Sequence, residues 1–293
     1  MDDSINEPPE EPTEDSADQP TDEPIDDFAH QKFMVSPSGR ELFVAVFAIE
    51  VWLDSAPGGA LSLVDDDEAQ AILGSFIDGW RTHVTHAVAA GPLTLAELQR
   101  VVDEPEDLEE LEALVAGMRG AGLLSARPDD GEGASYAVTD WLREAVGPMV
   151  VAMRSELRQA TVIAEEEEVE PPDDPPFSPE SVEAAFLLAL PLLELPAELS
   201  GVCRLVVDLP YSDEGVAGAT IHVEDGRVAS CEISLDDDAD AWIKGPTIAW
   251  MDAAVDGAWH KLELGGKRQL ARAVVASINK RLFGGPPGDP PRS

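Results

Sequence analysis

Apolar residues recur at three- and four-residue spacing along much of the N-terminal half, which is the spacing of one helix face. This pattern predicts an amphipathic helix over residues 69–88, ended by a Gly-Pro pair. Thr94 and Glu97 form a capping box that opens a short second helix. A third helix has its apolar stripe within residues 108–118.

A hairpin and a further helix follow. The turn sequence DDGEG separates two short segments, residues 123–127 and 135–138, and predicts a β-hairpin. Thr139 then caps a helix whose apolar stripe begins at Leu142. The predicted order is therefore helix, helix, helix, hairpin, helix.

The C-terminal part begins with another capped apolar helix, SPESVEAAFLLALPLL, and changes to strand-like patterns afterwards. The segments CRLVVDL, ATIHVED and VASCEIS alternate or run apolar, with a Glu-Asp-Gly turn between the last two. We expect a helix followed by an antiparallel meander.

Composition predicts the boundaries between these parts. Residues 1–30 form an acidic tail that we expect to be disordered, because its first 27 residues hold twelve acids, five prolines and no Lys or Arg. Residues 161–178 are predicted as an acidic, Pro-rich linker and residues 285–293 as a second disordered tail.

An internal repeat is the basis for assigning the segment after the first tail. FMVSPSGRELFVAVFAIE, from Phe33, aligns with YAVTDWLREAVGPMVVAM, from Tyr136. One interpretation is that residues 31–64 are the remnant of a second winged helix, present as an extra helix packed on the intact copy. The other is two unrelated helices that share a cap.

Two stretches and the spacing between them resemble the HxlR-type winged helix-turn-helix transcriptional regulators. They are WRTHVTHAVAAGPLTLAEL and MRGAGLLSARPDDGEGASYAVTDWLRE. The resemblance covers residues 65–160. It implies a winged helix whose third helix would enter the DNA groove.

The sequence from Ala239 onward resembles the closing part of a sterol carrier protein domain. It reads ADAWIKGPTIAWMDAAVDGAWHKLELGGKRQLARAVVASI. Similar domains follow HxlR-type winged helices, so residues 179–284 are assigned to one. The predicted fold class is α+β, a winged helix followed by a sterol-carrier-like domain with an antiparallel sheet. The resemblance favours an apolar pocket over a filled core, lined by Trp242, Ile248, Trp250, Met251 and Val255.

Charge changes the functional interpretation. The chain has 59 acids, 19 bases and a net charge of −40, and a run of carboxylates lies at the recognition-helix position: Asp103, Glu104, Glu106, Asp107, Glu109, Glu110 and Glu112. A carboxylate about 4 Å from a phosphate is repelled by ~1 kcal/mol in water and ~4 kcal/mol at a protein surface. The run is a partner surface, a mimic of a phosphate backbone, or a solvated helix face.

A few bases lie near the turn and the wing. Candidate contacts to a DNA backbone are Arg100, Arg119, Arg127 and Arg143. Arg127, before the wing tip, is the best of them, and its alternative is an ion pair with Asp129 or Asp130.

The sequence offers little other chemistry. His83 and His86 lie one helix turn apart without the further ligands that a metal site needs. We find no phosphate-binding Gly loop and no nucleophile-base pair, so we expect no enzyme activity, no cofactor and no metal. Two cysteines, and the lack of an apolar span or leader, predict a cytoplasmic protein without membrane contact.

We therefore predict a regulator-like protein that acts through protein contacts, with an apolar-ligand-sensing domain. It would be a homodimer, or a heterodimer with another regulator, joined through residues 72–88 and 146–157. The alternatives are a conventional DNA-binding HxlR-type regulator and a carrier of lipid or another apolar small molecule.

Overall fold

A computed structural model describes residues 37–61, 67, 69–70, 72–73, 80–102, 108–128, 133–167, 178–209 and 215–284. The predictions for the two tails, for Asp103–Asp107 and for the tip of the hairpin lie outside these residues. All described residues belong to one compact unit. Among them, no helix is both long enough and apolar enough to cross a membrane.

Helices dominate the N-terminal part, as the periodicity predicts. The elements are α1 (Pro37–Asp54), α2 (Trp80–Ala90), β1 (Leu93–Thr94), α3 (Leu95–Val101), α4 (Leu108–Gly120), β2 (Leu124–Pro128), β3 (Ala134–Val138), α5 (Asp140–Glu144) and α6 (Val146–Glu167). Strands β2 and β3 form the predicted hairpin, and β1 pairs with the free side of β3, giving an antiparallel sheet in the order β1-β3-β2.

Local cap chemistry sets the start of two of these helices. The Thr94 hydroxyl accepts a hydrogen bond from the backbone N–H of Glu97 at 3.3 Å, and the Glu97 carboxylate accepts one from the Thr94 N–H at 2.8 Å. Thr139 likewise accepts from the Leu142 N–H at 3.2 Å. The predicted capping box and the predicted Thr139 cap are both confirmed.

The C-terminal part places helices against a five-stranded sheet, which confirms the α+β class. Its elements are α7 (Pro179–Ala189), β4 (Gly201–Asp208), β5 (Val216–Glu224), β6 (Arg227–Glu232), β7 (Ala241–Pro246), α8 (Thr247–Asp256), β8 (Glu263–Gly266) and α9 (Arg268–Phe283), with 3-10 turns at Leu190–Leu192 and Trp259–Lys261. The strand order is β6-β5-β4-β7-β8.

The predicted all-antiparallel sheet is wrong at one pairing, because β7 runs parallel to β4. Residues 233–240 leave β6 at one edge and pass β5 and β4 before β7 begins. On the way, the Thr220 hydroxyl accepts from the Asp236 N–H at 3.1 Å, and the Asp240 carboxylate accepts from the Val202 N–H at 3.0 Å. This crossing connection lets β7 start at the same end of the sheet as β4.

Helix α7 connects the two parts of the chain. Its Leu187, Leu188 and Ala189 belong to the core that α1 to α6 form, while Leu190 directly after it belongs to the core beneath the five-stranded sheet. Helix α6 continues to Glu167, into the segment predicted as a linker. The segments that composition separates therefore share a packed interface.

Helix α1, in the segment interpreted as a winged-helix remnant, packs along α6. The rings of Trp52 and Trp141 stack with centroids 4.6 Å apart. Each indole N–H donates to the other residue's carbonyl, at 2.9 Å from Trp52 and 3.2 Å from Trp141. Glu41 accepts a hydrogen bond from Arg158 of α6. The inner face of α1 is thus fixed at both ends.

Candidate interaction surfaces

The acidic run is described from Leu108 onward, where it forms the outer side of α4. Leu111, Val115 and Met118 face the core and are buried. Glu109, Glu110 and Glu112 are exposed; we call these three residues the acidic face. The predicted members Asp103, Glu104, Glu106 and Asp107 lie outside the described residues.

The acidic face has a local structural cause as well. Glu109 and Glu110 lie in the first turn of α4, where the unpaired N–H groups of a helix favour negative charge by about 0.3–1 kcal/mol per residue. Two of the three carboxylates therefore stabilise the helix that presents them. The third, Glu112, lies one turn further along, where this effect has faded.

The four predicted DNA-contacting arginines differ in their surroundings. Arg100 is exposed, and its Nε donates to the Ala96 carbonyl at 3.1 Å. The Arg119 guanidinium lies 6.0 Å from the centroid of the Tyr136 ring. Arg127 is exposed on β2. These three remain on the outside of the N-terminal part.

Arg143 instead has a structural role. Its Nη1 donates to the carbonyls of Leu187 at 2.9 Å and Leu188 at 3.2 Å, which are among the last carbonyls of α7 and have no partner within that helix. Burial lowers the pKa of this guanidinium. Arg143 is half-buried and its Nη1 is engaged in the contact between α5 and α7, which leaves it less available to DNA than the three exposed arginines.

The residues of the predicted apolar pocket differ in their burial and contacts. The Trp250 indole N–H donates to the Val206 carbonyl at 2.9 Å, and its ring packs edge-on against Phe186 with centroids 5.4 Å apart. Met251 is also buried. The Trp242 ring covers Gly265 so closely that a Cβ there would lie 2.1 Å from it. Trp242, Ile248 and Val255 are partly exposed.

A cleft of about 300 Å³ lies elsewhere, between α1, the α5–α6 corner and α9. None of the five predicted pocket residues lines it. Its walls are formed by Ala48, Val51, Trp52, Ser55, Arg143, Glu144, Pro148, Leu192, Arg281 and Leu282. Arg281 and Glu144 form an ion pair at 3.4 Å, so the cleft combines apolar walls with charged groups.

The outer side of α1 is the most apolar exposed surface in the described part of the chain. Five large apolar side chains there are each 43–70% exposed; we call them the α1 apolar face: Phe43, Val44, Val46, Phe47 and Val51. The rings of Phe43 and Phe47 stack with centroids 6.5 Å apart. The run FVAVFAIEVWL signals this in the sequence, because a helix that is apolar all round needs cover on every side.

Several described residues of the segments predicted to form a dimer interface are buried inside the chain. Val84 and Val88 of α2 are buried, and so are Val146 and Val151 of α6. Buried Arg154 bonds to Asp256 of α8 at 2.6 Å. These buried residues are not available to a partner, whereas the α1 apolar face is exposed.

The two histidines of α2 have different environments. His83 is exposed, whereas His86 is half-buried with its Nε2 3.6 Å from a Glu183 carboxylate oxygen. Burial lowers the pKa of His86, while the charge of Glu180 opposes this effect. Within the described residues, no three His, Cys, Asp or Glu side chains group as metal ligands would.

Comparison of the chain with protein family models, with curated proteins and with solved structures finds no match in any of the three. The candidate function therefore rests on the geometry of these surfaces.

Proposed function

We propose that this chain is a regulator-like protein whose N-terminal part is a winged helix that binds another protein rather than DNA. The observation that carries the proposal is the acidic face on α4. This helix directly precedes the β2–β3 hairpin, which is the recognition-helix position in a winged helix. The element order and the three-stranded sheet are consistent with such a domain.

Charge magnitudes favour a protein partner over DNA. At ~1 to ~4 kcal/mol for each carboxylate about 4 Å from a phosphate, Glu109, Glu110 and Glu112 together oppose duplex binding strongly. The exposed Arg100, Arg119 and Arg127 are no more numerous than these acids. The same carboxylates would attract a basic protein surface and would raise its association rate.

The C-terminal part contributes less to this proposal. Trp250 and Met251 are packed within the protein, which favours a filled core over the cavity that a lipid carrier needs. Because α7 belongs to the N-terminal core, the C-terminal part supports the winged helix directly. We propose that it stabilises the module that carries the acidic face.

The first test measures DNA binding by fluorescence anisotropy, with duplex fragments over a range of salt concentrations. We expect no binding by the unmodified chain even at low salt. The triple variant Glu109→Lys, Glu110→Lys and Glu112→Lys should gain salt-dependent binding, because each lysine replaces a repulsive group with an attractive one. Binding by the unmodified chain that weakens steeply with salt would contradict the proposal.

The second test uses a matched control with the same change in net charge. Glu198, Glu224 and Glu232 are exposed in the C-terminal part. Replacing these three residues by Lys raises the net charge by the same six units, away from α4. Partners cross-linked to the unmodified chain in cells should be lost from the α4 variant and kept by the control. Equal loss in both variants would mean that net charge, and not the acidic face, selects the partner.

A further inference from the structure

The α1 apolar face is organised around Phe47. Arg40, Phe43, Val51 and Asp54 all point within about 40° of the Phe47 direction, because their separations of four and seven residues nearly complete one and two helix turns. Phe43 and Val51 flank Phe47 on either side. Exposed Arg40 and Asp54 end the stripe.

The exposure of this stripe is large for a monomer. Phe43 is 70% and Phe47 60% exposed. At ~150–250 Å² for each aromatic side chain, these two residues alone present roughly 200–300 Å² of apolar surface. Soluble monomers rarely expose contiguous apolar patches beyond a few hundred Å², and three further exposed apolar side chains, Val44, Val46 and Val51, adjoin this pair.

The inner side of α1, opposite the α1 apolar face, is rigidly packed. Ala45, Trp52 and Leu53 are buried on the inner side of the same helix. The reciprocal indole hydrogen bonds of Trp52 and Trp141 fix its C-terminal half, and the Glu41–Arg158 ion pair fixes its N-terminal half. A partner would therefore meet a preformed surface and lose little entropy in ordering it.

The two ends of the stripe carry opposite charges at equal distances from its centre. Arg40 and Asp54 are each seven residues from Phe47, about 10.5 Å along the axis. Within the described residues, neither forms an ion pair. A surface with this arrangement is complementary to itself after a half-turn about its centre.

We propose that a second copy of this chain covers the α1 apolar face, with the two α1 helices packed antiparallel about a twofold axis at Phe47. Arg40 of each copy then meets Asp54 of the other, and Phe43 meets Val51. A parallel pair would place Arg40 beside Arg40 and Asp54 beside Asp54, which like-charge repulsion disfavours.

The neighbouring cleft fits the same arrangement. Ala48, Val51 and Trp52 line it, so Phe43 of the second copy reaches its mouth when it meets Val51. Aromatic anchors beside a pocket are typical of the residues that dominate binding energy at interfaces. The cleft thus offers each copy a place for the other's most exposed phenylalanine.

This inference goes beyond the proposed function and uses a different helix. The acidic face lies on α4 and the dimer surface on α1, so variants of one leave the other unchanged. A monomeric chain could still bind a partner through α4, and a dimer could still bind DNA.

The first experiment is sedimentation velocity of the full chain over a wide range of protein concentrations. We expect a reversible dimer, and Phe47→Glu should raise its dissociation constant at least about 30-fold, the size of one central hot spot. Val101→Glu is the matched control, since Val101 is 59% exposed on α3, and should leave the dimer intact. Unchanged circular dichroism shows that each variant is folded.

A monomer at every concentration, or a dimer that Phe47→Glu leaves unchanged, would overturn the proposal. The register has its own test. Arg40→Glu and Asp54→Arg should each weaken the dimer, and the double variant should recover most of the affinity because it restores opposite charges at both contacts. A double variant no better than the weaker single variant would overturn the antiparallel register.

Discussion

Asp252 shows how one residue holds several elements together. Its side chain is only 4% exposed and accepts hydrogen bonds from Lys261 at 2.6 Å and Arg158 at 2.7 Å, with Arg154 3.7 Å away. Burial by itself raises the pKa of this carboxyl, but the Lys261 hydrogen bond and the nearby Arg158 charge outweigh it and hold the pKa below its ordinary value. Asp252 therefore stays ionised and joins α6 to α8.

Replacing Asp252 by Asn should lower the free energy of unfolding at pH 7 by about 2 kcal/mol, since the cations around it lose their buried partner while remaining partly hydrated. The folded-state pKa is depressed, so this stabilisation is present above the ordinary value of 3.8 and is lost as the pH falls through the folded-state pKa.

Urea unfolding of both proteins across this pH range measures the effect. The difference in unfolding free energy between the unmodified chain and Asp252→Asn should shrink below pH 3.8. The control Asp238→Asn, at an exposed position, should show no such difference. A difference that stays constant down to the most acidic pH would mean that the ion pairs do not contribute.

At the scale of single elements, features set by local chemistry can be predicted from the sequence, whereas features set by packing cannot. The start of α3 follows from Thr94 and Glu97 alone, because both partners of each hydrogen bond lie within four residues. The direction of β7 does not follow from neighbouring residues, because it depends on the path that residues 233–240 take across the sheet. Helix α1 is an intermediate case, where the sequence predicts a helix but not which side stays exposed.

Thr94→Ala should destabilise the protein by about 1 kcal/mol, because the Glu97 N–H loses its acceptor at the start of α3. Thr94→Ser keeps the hydroxyl and should cost much less. The midpoint of urea unfolding compares the two variants. Equal losses would show that the Thr94 methyl group, and not the cap, provides the stabilisation.

At the scale of the whole molecule, α7 makes the two parts depend on each other. Leu187 is 1% exposed and lies in the N-terminal core, although its helix leads into the C-terminal sheet. Arg143 of α5 binds the end of the same helix. We therefore expect the described elements to unfold together rather than as two independent domains.

Leu187→Ala tests this coupling. The truncation should cost about 2–5 kcal/mol through lost burial and the cavity left behind. Tryptophan fluorescence and far-ultraviolet circular dichroism should give one coincident transition in the unmodified chain, shifted as a whole in the variant. Two separate transitions, with only one affected by the substitution, would contradict the coupling.

The sequence by itself determined the helices, the hairpin, the caps and the position of the acidic run, since periodicity and cap chemistry act within a few residues. Tertiary structure alone decided that Phe47 faces outward, that Arg143 faces inward and that Trp250 fills a core. It also decided that β7 runs parallel to β4. The reason is physical: burial and strand direction depend on contacts between residues far apart in the chain, which no local pattern encodes.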